Sequence, residues 1–306
     1  MRIVYLGTPD FAVLPLKKLV ESGEHEIVGV VTNKDKPVGR KQILTAPPVK
    51  QYALENGLPV YQYSKIRVEG VEDMKALKPD LMITCAFGQI LSQEILDIAK
   101  HGVINIHASL LPKYRGASPI HYAILNGEKK TGITIMKTDI GIDTGDMILQ
   151  EELEILDGET CGSLFGRLSV LGAECLMKVL PLVENGTAKY IKQDDERATF
   201  SKIVRKEHAL IDWNDSAENI YNKIRAYNPA PIAFCYLDGN PFKVYEAKVV
   251  DGSGAAGQVL KAENELIIAC GSSALSLLTV QKAGGKPMNI KDFLRGNKFI
   301  LGSEFK

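Results

Sequence analysis

Short apolar runs alternate with amphipathic stretches through the first half of the chain. Ile3 to Leu6 precedes a helical pattern from Phe11 to Glu21, and Ile27 to Thr32 precedes Val49 to Asn56. Leu81 to Ala86 precedes Gln93 to Lys100, and Val103 to Ile106 precedes Pro119 to Asn126. Strands alternating with helices predict an α/β fold with a doubly wound, mostly parallel sheet. Two further strands are expected at Thr131 to Thr138 and Met147 to Glu152, joined by the turn-rich stretch Asp139 to Asp146. A long helix is expected from Cys161 to Glu184, with Gly162, Gly166 and Gly172 permitting close packing.

The pattern then changes. Gly186 to Lys206 is polar and weakly periodic, which suits an exposed connection. Beyond it, one amphipathic helix (Ser216 to Ala226) leads into strands at Ile232 to Leu237, Phe242 to Val250, Gly257 to Lys261, Leu266 to Ala269 and Leu275 to Lys282. Turn signals such as Asp238-Gly239 and Gly284-Gly285 separate them, so a small β-barrel is expected. The division read from sequence is 1–189, a linker at 190–207, and a barrel at 208–306.

Candidate chemistry concentrates where the run from Val103 ends. Residues i and i+2 of a strand share a face, so Asn105 and His107 converge while Ile104 and Ile106 point the other way. An amide donates to an oxygen gaining negative charge, and an imidazole donates or moves a proton, so the pair suits acyl transfer. Read alone, Asn105 is a strand-capping amide and His107 a satisfied buried histidine. In open α/β sheets, ligands bind at the carboxyl ends of strands, where this pair is placed.

Composition narrows the setting. The chain has 306 residues, 45% of them hydrophobic, enough for two cores. Its 37 basic and 37 acidic residues give no net charge, so a polyanionic partner must be met by local patches. Five scattered cysteines form no metal-binding spacing, and a reducing cytoplasm suits them. No signal peptide or run of about eighteen apolar residues suggests a membrane.

Gly7-Thr-Pro-Asp-Phe-Ala12, Asn105-Ile-His107, Ser109-Leu-Leu-Pro112, Arg115-Gly116 and Asp139 through Asp146 together resemble the catalytic domain of the formyltransferase family, enzymes that use 10-formyltetrahydrofolate as formyl donor. The resemblance runs nearly end to end. It implies a Rossmann-like formyltransferase domain. The loop Lys34 to Lys41, the segment Gln281 to Lys286 and Asp292-Phe-Leu-Arg-Gly296 resemble the branch acting on methionyl-tRNA, whose C-terminal part resembles an OB-fold. Implied is transfer of formyl from the folate, without a metal, to the α-amino group of methionine on initiator tRNA, in the cytoplasm and with no obligate protein partner.

Carried over residue by residue, the resemblance makes Asn105, His107 and Asp143 catalytic, with Asp143 beside His107; read without it, Asp143 is a turn-former between glycines. The folate pocket is expected from Phe87, Gly88, Ser109, Leu110, Leu111, Pro112 and Gly141, although Leu110 and Leu111 also read as core residues. Ser109 needs no nucleophilic role, because the donor is already activated. Lys34, Lys36, Arg40 and Lys41, against Asp35 alone, are expected to meet tRNA phosphates, as are Lys282, Lys286 and Arg295. Such basic stretches are otherwise simply solvated. An amino-sugar formyltransferase and an inactive RNA-binding scaffold are the competing readings.

Overall fold

The computed structural model describes residues 1–39 and 41–305, which form two compact units. The first holds Met1–Pro119, Lys130–Glu154 and Phe165–Lys202; the second holds Ile120–Lys129, Ile155–Leu164 and Ile203–Lys306. In chain order the elements are β1 (Arg2–Gly7), α1 (Val13–Ser22), β2 (Glu26–Thr32), β3 (Lys36–Val38), β4 (Ile43–Thr45), α2 (Pro48–Glu55), β5 (Val60–Gln62), α3 (Ile66–Glu69), α4 (Val71–Leu77) and β6 (Leu81–Cys85). Then come α5 (Gln93–Leu96), β7 (Val103–His107), β8 (Arg115–Gly116), α6 (Pro119–Leu125), β9 (Lys130–Lys137), β10 (Met147–Glu154), α7 (Cys161–Glu184) and β11 (Phe200–Ser201). The rest are α8 (Ala217–Ala226), β12 (Ala233–Leu237), β13 (Asn240–Val250), β14 (Val259–Ala262), β15 (Leu266–Ala269), β16 (Ala274–Lys282), β17 (Met288–Asn289) and α9 (Ile290–Gly296).

In the first unit, seven strands form one sheet in the order β10-β9-β7-β6-β1-β2-β5. The five from β7 to β5 run parallel, while β9 and β10 add antiparallel to one edge. β1 and β6 are almost wholly buried, as apolar runs covered on both faces must be. The chain winds outward from β1 in both directions, so the strand order reverses between β1 and β6, where such sheets open a crevice at their carboxyl ends. Gly172 lets α7 approach the sheet: a Cβ there would lie 3.1 Å from Ile106 and 3.6 Å from Ile133. Gly166, expected to act likewise, faces open space.

Local differences from the expected elements have physical causes. The helix expected over Gln93 to Lys100 ends at Leu96; turns follow from Asp97, and the chain enters β7 through the left-handed Gly102. The basic stretch near Lys36 is not a bare loop: β3 and β4 form an antiparallel hairpin with Val38, Ile43 and Leu44 exposed.

In the second unit, an antiparallel sheet runs β12-β13-β16-β15-β14, with β17 added to β16. Its edge strands β12 and β14 are not bonded to each other, so the expected barrel is an open one. Its core gathers Phe242, Phe293 and Phe305 edge to face at 5.4 to 5.6 Å, with Trp213 against Phe305. The Ser216 hydroxyl caps α8 by accepting from the Asn219 N–H. All five cysteines are free and buried, and burial pushes their thiols well up, to about 12 for Cys85, Cys161, Cys175 and Cys270. Among the described residues no helix is long and apolar enough to cross a membrane.

Candidate active site

β7 is paired with β6 on one side and β9 on the other, so its carboxyl end is fixed by two hydrogen-bond ladders. Asn105 pairs in register with Thr84 of β6 and Met136 of β9, and His107 with Thr134 of β9. The Thr84 hydroxyl donates to Asn105 Oδ1 at 2.9 Å. A hydroxyl suits either end of an amide, so the orientation is set on the other side, where Nδ2 faces an acceptor-only carboxylate in the loop after β9.

That loop brings in Asp143. Its backbone is left-handed, with φ of 52°, a region that Asp tolerates better than most residues. Asp143 Oδ2 accepts the Gly116 N–H at 2.8 Å, and Oδ1 lies 3.4 Å from Asn105 Nδ2. His107 Nδ1 is 3.6 Å from Asp143 Oδ2. The other ring nitrogen, Nε2, lies 3.1 Å from the Tyr114 carbonyl oxygen, and a carbonyl only accepts, so Nε2 carries a hydrogen. In the neutral ring Nδ1 then holds the lone pair. An amide, an imidazole and a carboxylate from two separated stretches of chain therefore meet at one strand end.

The expected folate residues differ in their freedom. Ser109 is fully buried; its hydroxyl donates to the Lys113 carbonyl at 2.6 Å, and its own carbonyl accepts from Thr134. Leu111 is buried, its N–H bonded to Thr134 and its carbonyl to Gln150, so the turn through Leu110 and Pro112 is braced from below. The Phe87 ring belongs to the core cluster around Val4 and Leu6, while Gly88 is exposed with φ of 78°. Gly141 is exposed, and its N–H donates to Asp139 within the loop.

Asn33 connects the root of the β3–β4 hairpin to the same region. Its Nδ2 donates to the Phe87 carbonyl at 3.0 Å and to the Thr8 hydroxyl at 3.2 Å, and Gln89 donates to its Oδ1. Beside it, a hydrogen bond from Lys50, then one from Gln62, hold the Asp35 carboxyl below its ordinary range. Of the residues expected to meet tRNA, Lys36 and Lys41 are exposed and Lys34 lies 3.8 Å from Glu69. Arg40 lies outside the described residues. In the second unit Lys282 ends β16, Lys286 follows in the turn, and Arg295 pairs with Asp292 on α9 at 3.0 Å; all three are exposed.

The sequence reading did not single out Thr84, Gln150 or the Gly116 N–H. Thr84 and Gln150 sit inside strands that read as apolar or alternating, and a backbone donor has no residue type to notice. Among the described residues no cluster of three or more His, Cys, Asp or Glu is placed to hold a metal.

Comparisons with known proteins identify the family. Residues 1–180 match the formyl transferase family, and residues 203–298 match the formyl transferase C-terminal domain. The methionyl-tRNA formyltransferase of Bacillus subtilis (strain 168) is 48% identical over 300 residues, covering 96% of this chain and 94% of the relative. That of Bacillus velezensis is 47% identical over 306 residues, covering 98% and 96%. Among solved structures, the N-formyltransferase from Helicobacter canadensis, in complex with folinic acid and dTDP-3-aminofucose, shares the fold with a TM-score of 0.70 at 22% identity, covering 92% of this chain and 99% of that one. With both of its parts matched, the chain belongs to the formyl transferase family.

Proposed function

We propose that this chain transfers the formyl group of 10-formyltetrahydrofolate to the α-amino group of methionine carried by initiator tRNA, with Asn105, His107 and Asp143 as its catalytic residues. The observation that carries the proposal is the approach of Asp143 to both partners, 3.4 Å from the Asn105 amide and 3.6 Å from His107 Nδ1. The amine nitrogen bonds to the formyl carbon, and the bond from that carbon to folate N10 breaks. The tetrahedral intermediate between these events carries an oxyanion, for which Asn105 Nδ2 is the donor. The amine loses one proton and N10 gains one. His107 Nδ1, with Nε2 held by Tyr114, takes the amine's proton, Asp143 faces the imidazolium so formed, and the same proton passes on to N10 as its bond to carbon breaks.

The acceptor assignment rests on the relatives that act on methionyl-tRNA, at nearly half identity over nearly the whole chain. The basic hairpin around Lys36 and Lys41 and the cations at Lys282, Lys286 and Arg295 are of the kind that meets phosphates. Formyl incorporation is to be measured with 10-formyltetrahydrofolate, charged initiator tRNA, charged elongator tRNA and an amino-sugar nucleotide in parallel. Preference for the initiator species supports the proposal. Equal or faster formylation of the sugar defeats it.

A further inference from the structure

We propose that Gln193 is a positioning residue for this reaction, setting the place of Asp143 through the backbone of its loop; the inference rests on the catalytic reading of Asp143. Gln193 Nε2 donates to the Asp143 carbonyl at 2.8 Å and to the Gly145 carbonyl at 2.7 Å. Its Oε1 accepts from Arg115 Nε at 2.9 Å and from Arg115 Nη2 at 2.8 Å. Both donor hydrogens and both lone pairs of one side-chain amide are thus engaged. Arg115 is 3% exposed, and its Nη2 also reaches Asp195 at 2.7 Å.

The loop needs an outside anchor. Ile140 and Ile142 are 66% and 67% exposed, so side-chain burial holds little of it. Its internal bonds run from Gly141 N–H and the Thr144 hydroxyl to Asp139, and they fix its shape without fixing its place. Gly116 grips the Asp143 carboxylate, and Gln193 grips the Asp143 carbonyl, so the dipeptide Arg115-Gly116 reaches this one residue directly and through Gln193. A guanidinium on Oε1 polarises the amide and strengthens both of its N–H donors. With the Asp143 backbone left-handed, release of its carbonyl lets the residue relax away from Asn105 and His107.

Two substitutions separate positioning from mere support. Gln193→Met keeps length and loses all four bonds, whereas Gln193→Glu keeps the acceptor for Arg115 and has no hydrogen for either carbonyl. Full-length wild type, both variants and Asp143→Ala are assayed for formylation of charged initiator tRNA as a function of pH, beside thermal unfolding. Expected are kcat losses on the order of 10- to 100-fold in both Gln193 variants, as small misplacements of a reacting group produce. The KM for tRNA stays within about twofold and the pH profile is displaced, because the His107–Asp143 approach has changed. Wild-type kcat and pH profile in Gln193→Met overturn the inference, as does a loss matched by unfolded protein with an unchanged profile. An inactive wild type, or an active Asp143→Ala, overturns instead the functional reading on which it rests.

Discussion

Thr84 donates its hydroxyl to the Asn105 amide oxygen at 2.9 Å across the pairing of β6 and β7, so a core-strand residue helps hold a candidate oxyanion donor in place. Thr84 also bonds the Ile104 carbonyl and is 7% exposed, and Val fits the same space without the hydroxyl. One lost hydrogen bond of about 1 kcal/mol corresponds to roughly a fivefold loss. Thr84→Val is therefore expected to lower kcat about fivefold with little change in tRNA KM. Steady-state kinetics check it, and an unaltered kcat would show that the amide holds its direction unaided.

Asn105→Ala removes the proposed oxyanion donor, and loss of such a donor typically costs about 3 to 4 kcal/mol of transition-state stabilisation, or roughly 10² to 10³ in kcat. His107→Ala and Asp143→Ala are expected to abolish turnover while tRNA binding, followed by filter retention, stays near wild type. On the proposed mechanism these side chains serve the reacting carbon and not the phosphates. Parallel loss of tRNA affinity in any of the three would contradict that assignment.

Lys36 lies on an exposed hairpin and Lys41 in the turn between its strands. Their replacement by Ala is expected to raise the KM for charged tRNA and to flatten its salt dependence by about one in logarithmic slope for each phosphate no longer neutralised. The KM for the folate donor should not move. A changed folate KM beside an unchanged salt slope would place these cations elsewhere in the reaction.

His121, on α6 within the second unit, supplies a pH-dependent stability effect. Burial lowers its pKa from the ordinary 6.5, partly offset by a hydrogen bond with the Ala230 backbone. Above 6.5 the ring is neutral in both folded and unfolded chains, so it contributes no pH dependence there. As pH falls below that value the unfolded chain binds the proton first, and stability declines until the folded pKa is passed. His121→Gln should therefore lose less melting temperature between pH 7.5 and pH 5.5 than the parent does. An equal or steeper loss would show that the ring does not titrate in this window.

Much of the architecture was legible because burial imposes a period. The runs ending at Leu6, Cys85 and His107 are near-continuous apolar strands of a covered sheet, and the helix from Cys161 to Glu184 matched its expected limits. The three-residue β5 and the short helices α3 and α4 were not read, since so few residues carry no detectable period. The pairing of β8 with β11 is still shorter and joins segments about 85 residues apart. At the site, Asn105 and His107 were legible from strand alternation, and Asp143 only through its resemblance to a family loop. Thr84, Gly116 and Gln193 act through hydrogen bonds whose partners are distant in the chain, and a single sequence offers no sign of such pairings.

The native thiols, being sealed inside and held protonated, should ignore alkylating reagents under conditions where the fold persists. A lone cysteine placed at Leu44, exposed on β4, would then be the target for a maleimide fluorophore. The wild-type background needs no prior removal of sulfur, so a change in the hairpin's surroundings on RNA addition can be read directly by emission.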